Sequence, residues 1–279
     1  MKTAVTSLEV RRPKTVREAL TMLRDDGPLV PLAGATDLYV ALNFGTLSAR
    51  RFLDVWPLEP LRRIAMQGET LSIGALATYT SLTRSRLVKQ RIPMLVDAAH
   101  QVGGVQIQNR GTIGGNIANG SPAGDTLPVF AACDAVVVIR SAADERRVPF
   151  EEFYTGYREN VLQPGELIVA VEIGPISGRQ WFRKVGTRAA QAISKVVMAG
   201  IRSADSRVAL GSVGPVVIRA LGAEGVLNGG AGIDAAATAL GDEIMPIDDI
   251  RSTADYRRAV AQNLLRQFWT ETSDPGSVA

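Results

Sequence analysis

The chain has 279 residues, of which 46% are hydrophobic and 21% charged, and its formal net charge is +3. This composition is ordinary for a globular protein, and the small positive excess, spread as separate arginine pairs, does not favour nucleic-acid binding. The only cysteine, Cys133, excludes a disulfide framework and a cysteine-ligated iron–sulfur cluster within the chain, and the only histidine, His100, excludes a multi-histidine metal centre. No apolar run approaches the roughly 18 residues of a membrane span, and the N-terminus has no apolar leader, so we expect a cytoplasmic protein without a membrane span.

The first 57 residues predict a small α/β unit in the order strand, helix, strand, loop, helix, strand. Within it, residues 29–37 form a short apolar strand that breaks at Gly34, and a helix follows over 38–43, capped by the threonine or the aspartate just before it. A strand, a turn of small residues and a helix N-terminus together are a general device for binding a diphosphate. The same pattern also occurs in ordinary strand-to-helix turns, so it is weak evidence by itself.

The segment 108–125 has an unusual composition, because five of its eighteen residues are glycine and most of the others are small and polar. We interpret it as a long functional loop, since a loop of this length in a compact domain usually has a role. Consecutive amides at 114–116 are predicted to form an anion-binding nest, and Asp125 offers an acceptor suited to a hydroxyl. An Ω-loop packed on itself is the alternative. Neither GxGxxG nor GxxxxGK[ST] occurs in the chain, so the Rossmann fingerprint and the P-loop do not apply.

The rest of the chain alternates between apolar runs and helical patterns. Strands are predicted over 135–140, 148–153, 167–173, 181–185, 208–213 and 216–221, the last two as a hairpin or a tight strand pair. Helices are predicted over 93–102, 233–240 and 252–268. Residues 175–179 are interpreted as a linker, and the strands followed by helices beyond it predict an α+β domain.

Two segments, Ala-Gly-Ala-Thr-Asp at 33–37 and Asn-Arg-Gly-Thr-Ile-Gly-Gly-Asn-Ile-Ala-Asn-Gly-Ser-Pro-Ala-Gly-Asp at 109–125, resemble the FAD-binding segments of the molybdenum hydroxylase flavoproteins. That family includes the FAD domain of xanthine dehydrogenase and the medium subunit of aerobic carbon monoxide dehydrogenase. The resemblance continues through 153–157, 163–168, 182–196 and 249–258, so it covers essentially the whole chain in order. One departure is Ala35, where the family more often has a second glycine. We expect this alanine to matter little unless its φ is positive.

The resemblance implies an α+β fold with a two-part FAD-binding domain of the PCMH/vanillyl-alcohol-oxidase-like type, followed by a smaller α+β C-terminal domain of the CO dehydrogenase flavoprotein type. The implied boundaries are 1–57 and 58–175 for the two parts of the FAD-binding domain and 176–279 for the C-terminal domain. Without a second histidine or a carboxylate pair at diagnostic spacing, the chain shows no catalytic side chains, which favours a bound cofactor that carries the reaction.

The cofactor implied by the resemblance is FAD, with no metal in this chain. The implied cofactor-binding residues are Pro31, Leu32, Ala33, Gly34, Ala35, Thr36, Asp37, Val102, Gly103, Thr112, Ile113, Gly114, Gly115, Asn116, Asp125, Ile168 and Lys184. The resemblance places the pyrophosphate between the two glycine turns, where main-chain donors hold it from both sides. It also places Asp125 near the ribityl or ribose hydroxyls, Val102 and Gly103 beside the isoalloxazine, and Ile168 in the adenine or ring pocket. Lys184 is implied to lie close to the flavin, where a cation raises its potential.

By the same resemblance, the chain is an electron-transfer subunit that passes electrons from partner iron–sulfur clusters through FAD to an acceptor. The implied partners are an iron–sulfur small subunit and a molybdopterin-binding large subunit, assembled as a heterotrimer or a dimer of heterotrimers. A stand-alone FAD-dependent reductase or dehydrogenase is the second hypothesis, and a cofactor-free scaffold of the same fold is the third.

Overall fold

In the computed structural model, which describes residues 8–273, the chain begins with a three-stranded parallel sheet and two helices. The elements are β1 (Glu9–Arg11), α1 (Val16–Asp25), β2 (Val30–Leu32), α2 (Leu38–Phe44) and β3 (Arg51–Asp54). Strand β3 lies between β1 and β2 and is parallel to both. The order of elements predicted for the first 57 residues is therefore confirmed over the described part of that range.

A five-stranded antiparallel sheet follows, with helices packed against it. The strands of this region are β4 (Ile64–Gln67), β5 (Thr70–Gly74), β6 (Val136–Arg140), β7 (Glu145–Pro149), β8 (Tyr154–Gly156), β9 (Glu159–Asn160) and β10 (Leu167–Ile173). The helices are α3 (Tyr79–Arg84), α4 (Arg86–Arg91), α5 (Pro93–Gln101), α6 (Val105–Arg110), α7 (Ile113–Asn119) and α8 (Leu127–Ala132). The sheet order is β4-β5-β10-β6-β7, while β8 and β9 form a separate hairpin. Side chains of β6 alternate between two hydrophobic cores, Val137 and Ile139 in one and Val138 in the other, as predicted for a strand buried on both faces.

The C-terminal region packs a four-stranded antiparallel sheet against three helices. Its elements are β11 (Arg179–Val185), β12 (Val196–Arg202), β13 (Arg207–Gly211), β14 (Ile218–Arg219), α9 (Leu221–Asn228), α10 (Ile233–Glu243) and α11 (Ala254–Glu271). Side chains from the sheet and from all three helices share one core, in which Phe268 is fully buried. This arrangement is the α+β domain that the pattern predicts.

Several sequence predictions differ from the structure. The segment 108–125 is not a continuous loop, because α7 occupies its centre. The strand predicted over 216–221 is reduced to the two residues of β14, since Leu221 already begins α9. The strand predicted over 148–153 ends at Pro149 and turns into a 3₁₀ helix. The strand β12 was not predicted, and Arg179, assigned to the linker, is the first residue of β11.

The first and second sheets meet through a shared hydrophobic cluster. It contains Leu53 and Val55 from the N-terminal unit together with Leu76, Val138 and Leu167 from the five-stranded sheet and its connections. Because these apolar contacts hold the two sheets together at one place, the turn after β2 is brought opposite helix α7. The space between that turn and that helix is the cleft described next.

Candidate cofactor-binding site

A cleft of about 530 Å³ lies between the turn after β2 and helix α7. Its other walls come from the start of α3, from α6 and from the beginning of β10. The predicted site residues that line it are Pro31, Ala33, Gly34, Ala35, Thr36, Asp37, Val102, Thr112, Gly114, Gly115, Asn116 and Ile168. The two glycine-bearing segments, far apart in sequence, are therefore on opposite walls of one cavity, and its size is in the usual range for a small-molecule site.

Gly34 is the point at which the two segments touch. A Cβ atom at this position would lie 1.8 Å from the carbonyl oxygen of Arg110 and 2.6 Å from its carbonyl carbon. Any side chain would therefore push the turn away from the end of α6. The side chain of Arg110 packs on Trp56, with its guanidinium 3.8 Å from the centroid of that ring. Arg110 forms no ion pair with a carboxylate among residues 8–273, so its charge is not neutralised by the protein there.

The turn at 34–37 has open hydrogen-bond donors. Within the part of the chain that the structure describes, the main-chain amides of Gly34, Ala35, Thr36 and Asp37 donate to no protein acceptor. Neither Thr36 nor Asp37 caps α2 with its side chain, so the predicted cap is wrong. Amides left open at a turn that leads into a helix are suited to an anion such as a phosphate.

Ala35 adopts a left-handed backbone conformation, with φ of 63°. A positive φ is the condition under which alanine in place of the family's glycine matters, so Ala35 is not neutral for the backbone conformation. An L-residue in this region is less stable by about 1–2 kcal/mol than in the right-handed one, because Cβ approaches the following carbonyl oxygen. The turn therefore holds strain at a residue that lines the cleft.

The predicted anion-binding nest at 114–116 does not form, because its amides are used within the protein. The Gly114 amide donates to the Ala75 carbonyl (2.8 Å), and the Asn116 amide donates to the Thr112 carbonyl (2.9 Å). The Gly115 amide donates to the Thr112 hydroxyl (3.2 Å), which makes Thr112 the N-cap of α7. Glycine is needed at 114 for close packing, since a Cβ there would lie 2.7 Å from the Ala75 Cβ. The segment thus forms the wall of the cleft by close packing and does not supply main-chain donors.

Side chains supply polar groups on this wall instead. The Asn116 Oδ1 accepts a hydrogen bond from the Thr126 hydroxyl (2.6 Å), so this oxygen is occupied within the protein. Asn119 also lines the cleft and donates to the Asp37 carboxylate (3.3 Å), and it accepts from Arg158 (2.8 Å). This contact between Asn119 and Asp37 is a second bridge across the cleft, beside the one at Gly34.

Asp125 and Lys184 lie outside the lining of the cleft and bind each other. The Lys184 Nζ donates to the Asp125 Oδ2 (2.7 Å) and to the Gln101 carbonyl (3.0 Å), and both side chains are at least nine-tenths buried. Burial raises the pKa of Asp125 to about 6, and the ammonium of Lys184 opposes the rise. The Asp125 Oδ1 is enclosed without a partner. Gln101 is followed by Val102, which does line the cleft, so the Lys184–Asp125 pair lies just behind that wall. The charge of Lys184 is balanced there by Asp125.

Leu32, Gly103 and Ile113 also do not line the cleft, although each is next in sequence to a residue that does. Other lining residues were absent from the predicted set, among them Tyr79, Ile107 and Asn119. Nothing in the local sequence distinguishes Tyr79 or Ile107 from ordinary core residues, because their place in the wall depends on contacts between distant segments.

Among residues 8–273, no group of three or more histidine, cysteine, aspartate or glutamate side chains is arranged to hold a metal ion. In the same range, no helix has both the length and the apolar character needed to cross a membrane.

Comparison with known proteins agrees with this geometry. Residues 6–175 match the family described as the FAD binding domain in molybdopterin dehydrogenase, and residues 181–272 match the CO dehydrogenase flavoprotein C-terminal domain. The chain is 30% identical over 271 residues to the carbon monoxide dehydrogenase medium chain of Hydrogenophaga pseudoflava, covering 93% of this chain and 94% of that one. It is 28% identical to the xanthine dehydrogenase FAD-binding subunit of Escherichia coli O157:H7, covering 93% and 94% of the two chains.

Solved structures show the same fold. A chain of carbon monoxide dehydrogenase from Hydrogenophaga pseudoflava superposes with a TM-score of 0.89 at 28% identity, covering 95% of this chain and 98% of that one. A chain of quinoline 2-oxidoreductase from Pseudomonas putida 86 superposes with a TM-score of 0.91 at 25% identity, covering 98% of each. The predicted fold class, a two-part FAD-binding domain with a C-terminal α+β domain, is thereby confirmed. The chain belongs to the molybdenum hydroxylase flavoprotein family, with the FAD-binding domain of a molybdopterin dehydrogenase in its first 175 residues.

Proposed function

We propose that this chain is the FAD-binding electron-transfer subunit of a molybdenum-containing hydroxylase, which receives electrons from partner iron–sulfur clusters and passes them through FAD to an acceptor. The observation that carries the proposal is the cleft between helix α7 and the turn at 34–37, whose main-chain amides are open. A cavity with a row of unused main-chain donors on one wall fits a ligand with a diphosphate.

The described residues fit FAD without a reactive side chain of their own. FAD, when bound, supplies redox chemistry that joins one-electron and two-electron carriers. The amides at 34–37 would hold the diphosphate from one side. On the opposite wall, Thr112 and Asn116 contribute side-chain polar groups. One wall would therefore bind the ligand through main-chain amides and the other through side chains. The apolar residues Val102 and Ile168 then remain for the ring systems.

The electron donors must be in other polypeptides. The single cysteine, Cys133, is buried in the core next to α8, so this chain cannot ligate an iron–sulfur cluster through several thiolates. We propose an iron–sulfur small subunit and a molybdopterin-binding large subunit as partners, in a heterotrimer or a dimer of heterotrimers. Relatives named as a medium chain and as an FAD-binding subunit support this assignment. The proposed location is the cytoplasm, where a lone buried thiol stays reduced.

We also propose the division at 1–57, 58–175 and 176–279, with the cleft between the first two parts. The three separate sheets support it, since each part contains one main sheet within its bounds.

The test is to purify the full chain and measure its bound flavin and its activity. We expect a yellow protein with about one FAD per chain, which oxidises no substrate by itself and transfers electrons when the partner subunits are added. The matched control is Gly174→Ala, a glycine with open space around its Cβ position, which should retain FAD, whereas Gly34→Ala should not. A colourless chain that takes up no added FAD would refute the cofactor assignment. Turnover of a substrate by the chain alone would instead favour a stand-alone flavin dehydrogenase.

A further inference from the structure

Tyr79 lies where the two glycine-bearing segments of the cleft meet. It is the first residue of α3, directly after Thr78, which caps the helix by accepting a hydrogen bond from the Ser81 amide (3.2 Å). Thr78 also pairs with Thr112 in an isolated antiparallel bridge, so the start of α3 is fixed against the start of α7. The backbone on both sides therefore determines where the Tyr79 ring is placed.

The ring of Tyr79 explains the glycine at 111. A Cβ atom at Gly111 would lie 2.6 Å from the Tyr79 Cε2, closer than two carbon atoms can approach. The ring thus fills the space that a side chain at 111 would take, beside the Arg110 carbonyl that contacts Gly34. Tyr79 is only 4% exposed, and it lines the cleft.

The hydroxyl of Tyr79 has no hydrogen-bond partner among residues 8–273. The fully enclosed polar atoms without a partner are Asp125 Oδ1, Gln180 Oε1 and Arg257 Nε, and the Tyr79 hydroxyl is not one of them. The hydroxyl is therefore not fully enclosed, and Tyr79 is one of the residues that line the cleft. A buried phenol normally finds a partner, so a free one on a cavity wall points to a ligand.

The hydroxyl stays protonated and acts as a donor. Burial, and to a lesser extent the charge of Asp125, raises the pKa of Tyr79 well above its ordinary value. A neutral phenol in a partly desolvated wall offers one hydrogen to an acceptor of the ligand. The adjacent wall residues Ala75 and Leu76 are apolar and offer no competing side-chain hydrogen bond.

We propose that Tyr79 is a cofactor-binding residue whose hydroxyl donates a hydrogen bond to an acceptor atom of the FAD in the cleft. The proposal rests on the proposed function, because it needs FAD as the occupant. It assigns a role to a side chain outside both glycine segments. It also gives a reason for the glycine at 111, which is to leave room for the ring that carries this hydroxyl.

The test compares Tyr79→Phe with Tyr154→Phe in the full chain. Tyr154 is the matched control, since its hydroxyl already donates to the Ile117 carbonyl (2.9 Å) and is not in the lining of the cleft. Flavin-free protein is titrated with FAD, and the thermal midpoint of the same flavin-free samples is measured. Loss of one ligand hydrogen bond should weaken FAD binding about 3- to 30-fold in Tyr79→Phe while leaving the midpoint of the flavin-free protein unchanged. Tyr154→Phe should show the reverse, with a lower midpoint and unchanged FAD affinity.

A second variant and two smaller ligands complete the design. Gly111→Ala displaces the ring and should weaken FAD binding at least as much as Tyr79→Phe. Titration with ADP and with FMN shows which half of the cofactor accepts the bond, because the affinity of only that half should fall in Tyr79→Phe. Equal affinity of the wild type and Tyr79→Phe for FAD, ADP and FMN would overturn the inference. A wild-type chain that binds no FAD would refute the proposed function itself, so the two failures are distinguishable.

Discussion

The strained alanine in the turn at 34–37 allows a quantitative test of the geometry. Replacement of Ala35 by glycine removes the clash of Cβ at a φ of 63°. Relief of the left-handed conformation contributes about 1–2 kcal/mol, and the greater freedom of glycine in the unfolded chain offsets about 0.4–1 kcal/mol of it. We therefore expect Ala35→Gly to stabilise the flavin-free protein by about 0.5–1 kcal/mol, although alanine-to-glycine changes normally destabilise.

The matched control is Ala259→Gly, at an exposed alanine in the middle of α11 without a positive φ. This change should destabilise the protein by about 1 kcal/mol, because glycine is a poor helix former. Thermal unfolding separates the two variants, since 1 kcal/mol corresponds to a shift of about 2–4 °C for a chain of about this size. Ala35→Gly should unfold at a higher temperature than the wild type and Ala259→Gly at a lower one. A midpoint for Ala35→Gly as low as that of the control would show that the turn is not strained as described.

Three further predictions concern the walls of the cleft and the buried ion pair. Gly34→Ala should abolish retention of FAD, because its Cβ would overlap the Arg110 carbonyl oxygen at 1.8 Å, and flavin absorbance of the purified variant measures this; full retention would contradict the contact. Lys184→Met should destabilise the protein by about 3–5 kcal/mol by leaving the Asp125 carboxylate buried without its partner, and it should lower the flavin midpoint potential in a redox titration. The double variant Lys184→Met with Asp125→Asn should recover most of that stability. An unchanged flavin midpoint potential in Lys184→Met would exclude an electrostatic role for the lysine. The third prediction is a pH dependence. Because the pKa of Asp125 is raised from 3.8 to about 6, the folded state binds this proton more tightly than the unfolded state, so its contribution to stability falls as pH rises from about 4 to 6. The free energy of unfolding, measured with urea across that pH range, should fall less for Asp125→Asn than for the wild type. An identical pH dependence in the two proteins would argue against a raised pKa of Asp125.

The turn at 34–37 was predictable because its signals are local. The apolar residues of β2, the break at Gly34 and the helix that follows all lie within a short stretch of chain, and the structure reproduces their order. The resemblance of both glycine segments to one family then placed them in one site, which the cleft is consistent with. The reason for the glycine at 34 was not predictable, because it depends on the Arg110 carbonyl, which is distant in sequence.

Helix α7 was missed because its composition resembles that of a loop. Glycine and asparagine are poor helix formers, so propensity argues against a helix over 113–119. Tertiary contacts overrule this preference, since Gly114 packs on Ala75 and its amide bonds to the same residue. A threonine cap at 112 was the one local signal for the helix start.

Strand β12 was missed for a related reason. Ala199 and Gly200 interrupt its apolar run, and neither residue favours a strand. The structure shows why glycine is needed there, as a Cβ at Gly200 would lie 2.7 Å from the ring of Phe268. The pairing of Lys184 with Asp125 was likewise unpredictable, because it joins the C-terminal sheet to the segment before α8.

The position of the cleft between two sheets links cofactor supply to the durability of the polypeptide. One wall belongs to the N-terminal unit and the other to the helices on the five-stranded sheet, so a ligand that contacts both adds its affinity to the forces joining them. At a free ligand concentration of 100 times the dissociation constant, this linkage amounts to about 2.7 kcal/mol. Without the flavin, the contact between the N-terminal unit and the five-stranded sheet would lose this contribution and depend on the shared hydrophobic cluster.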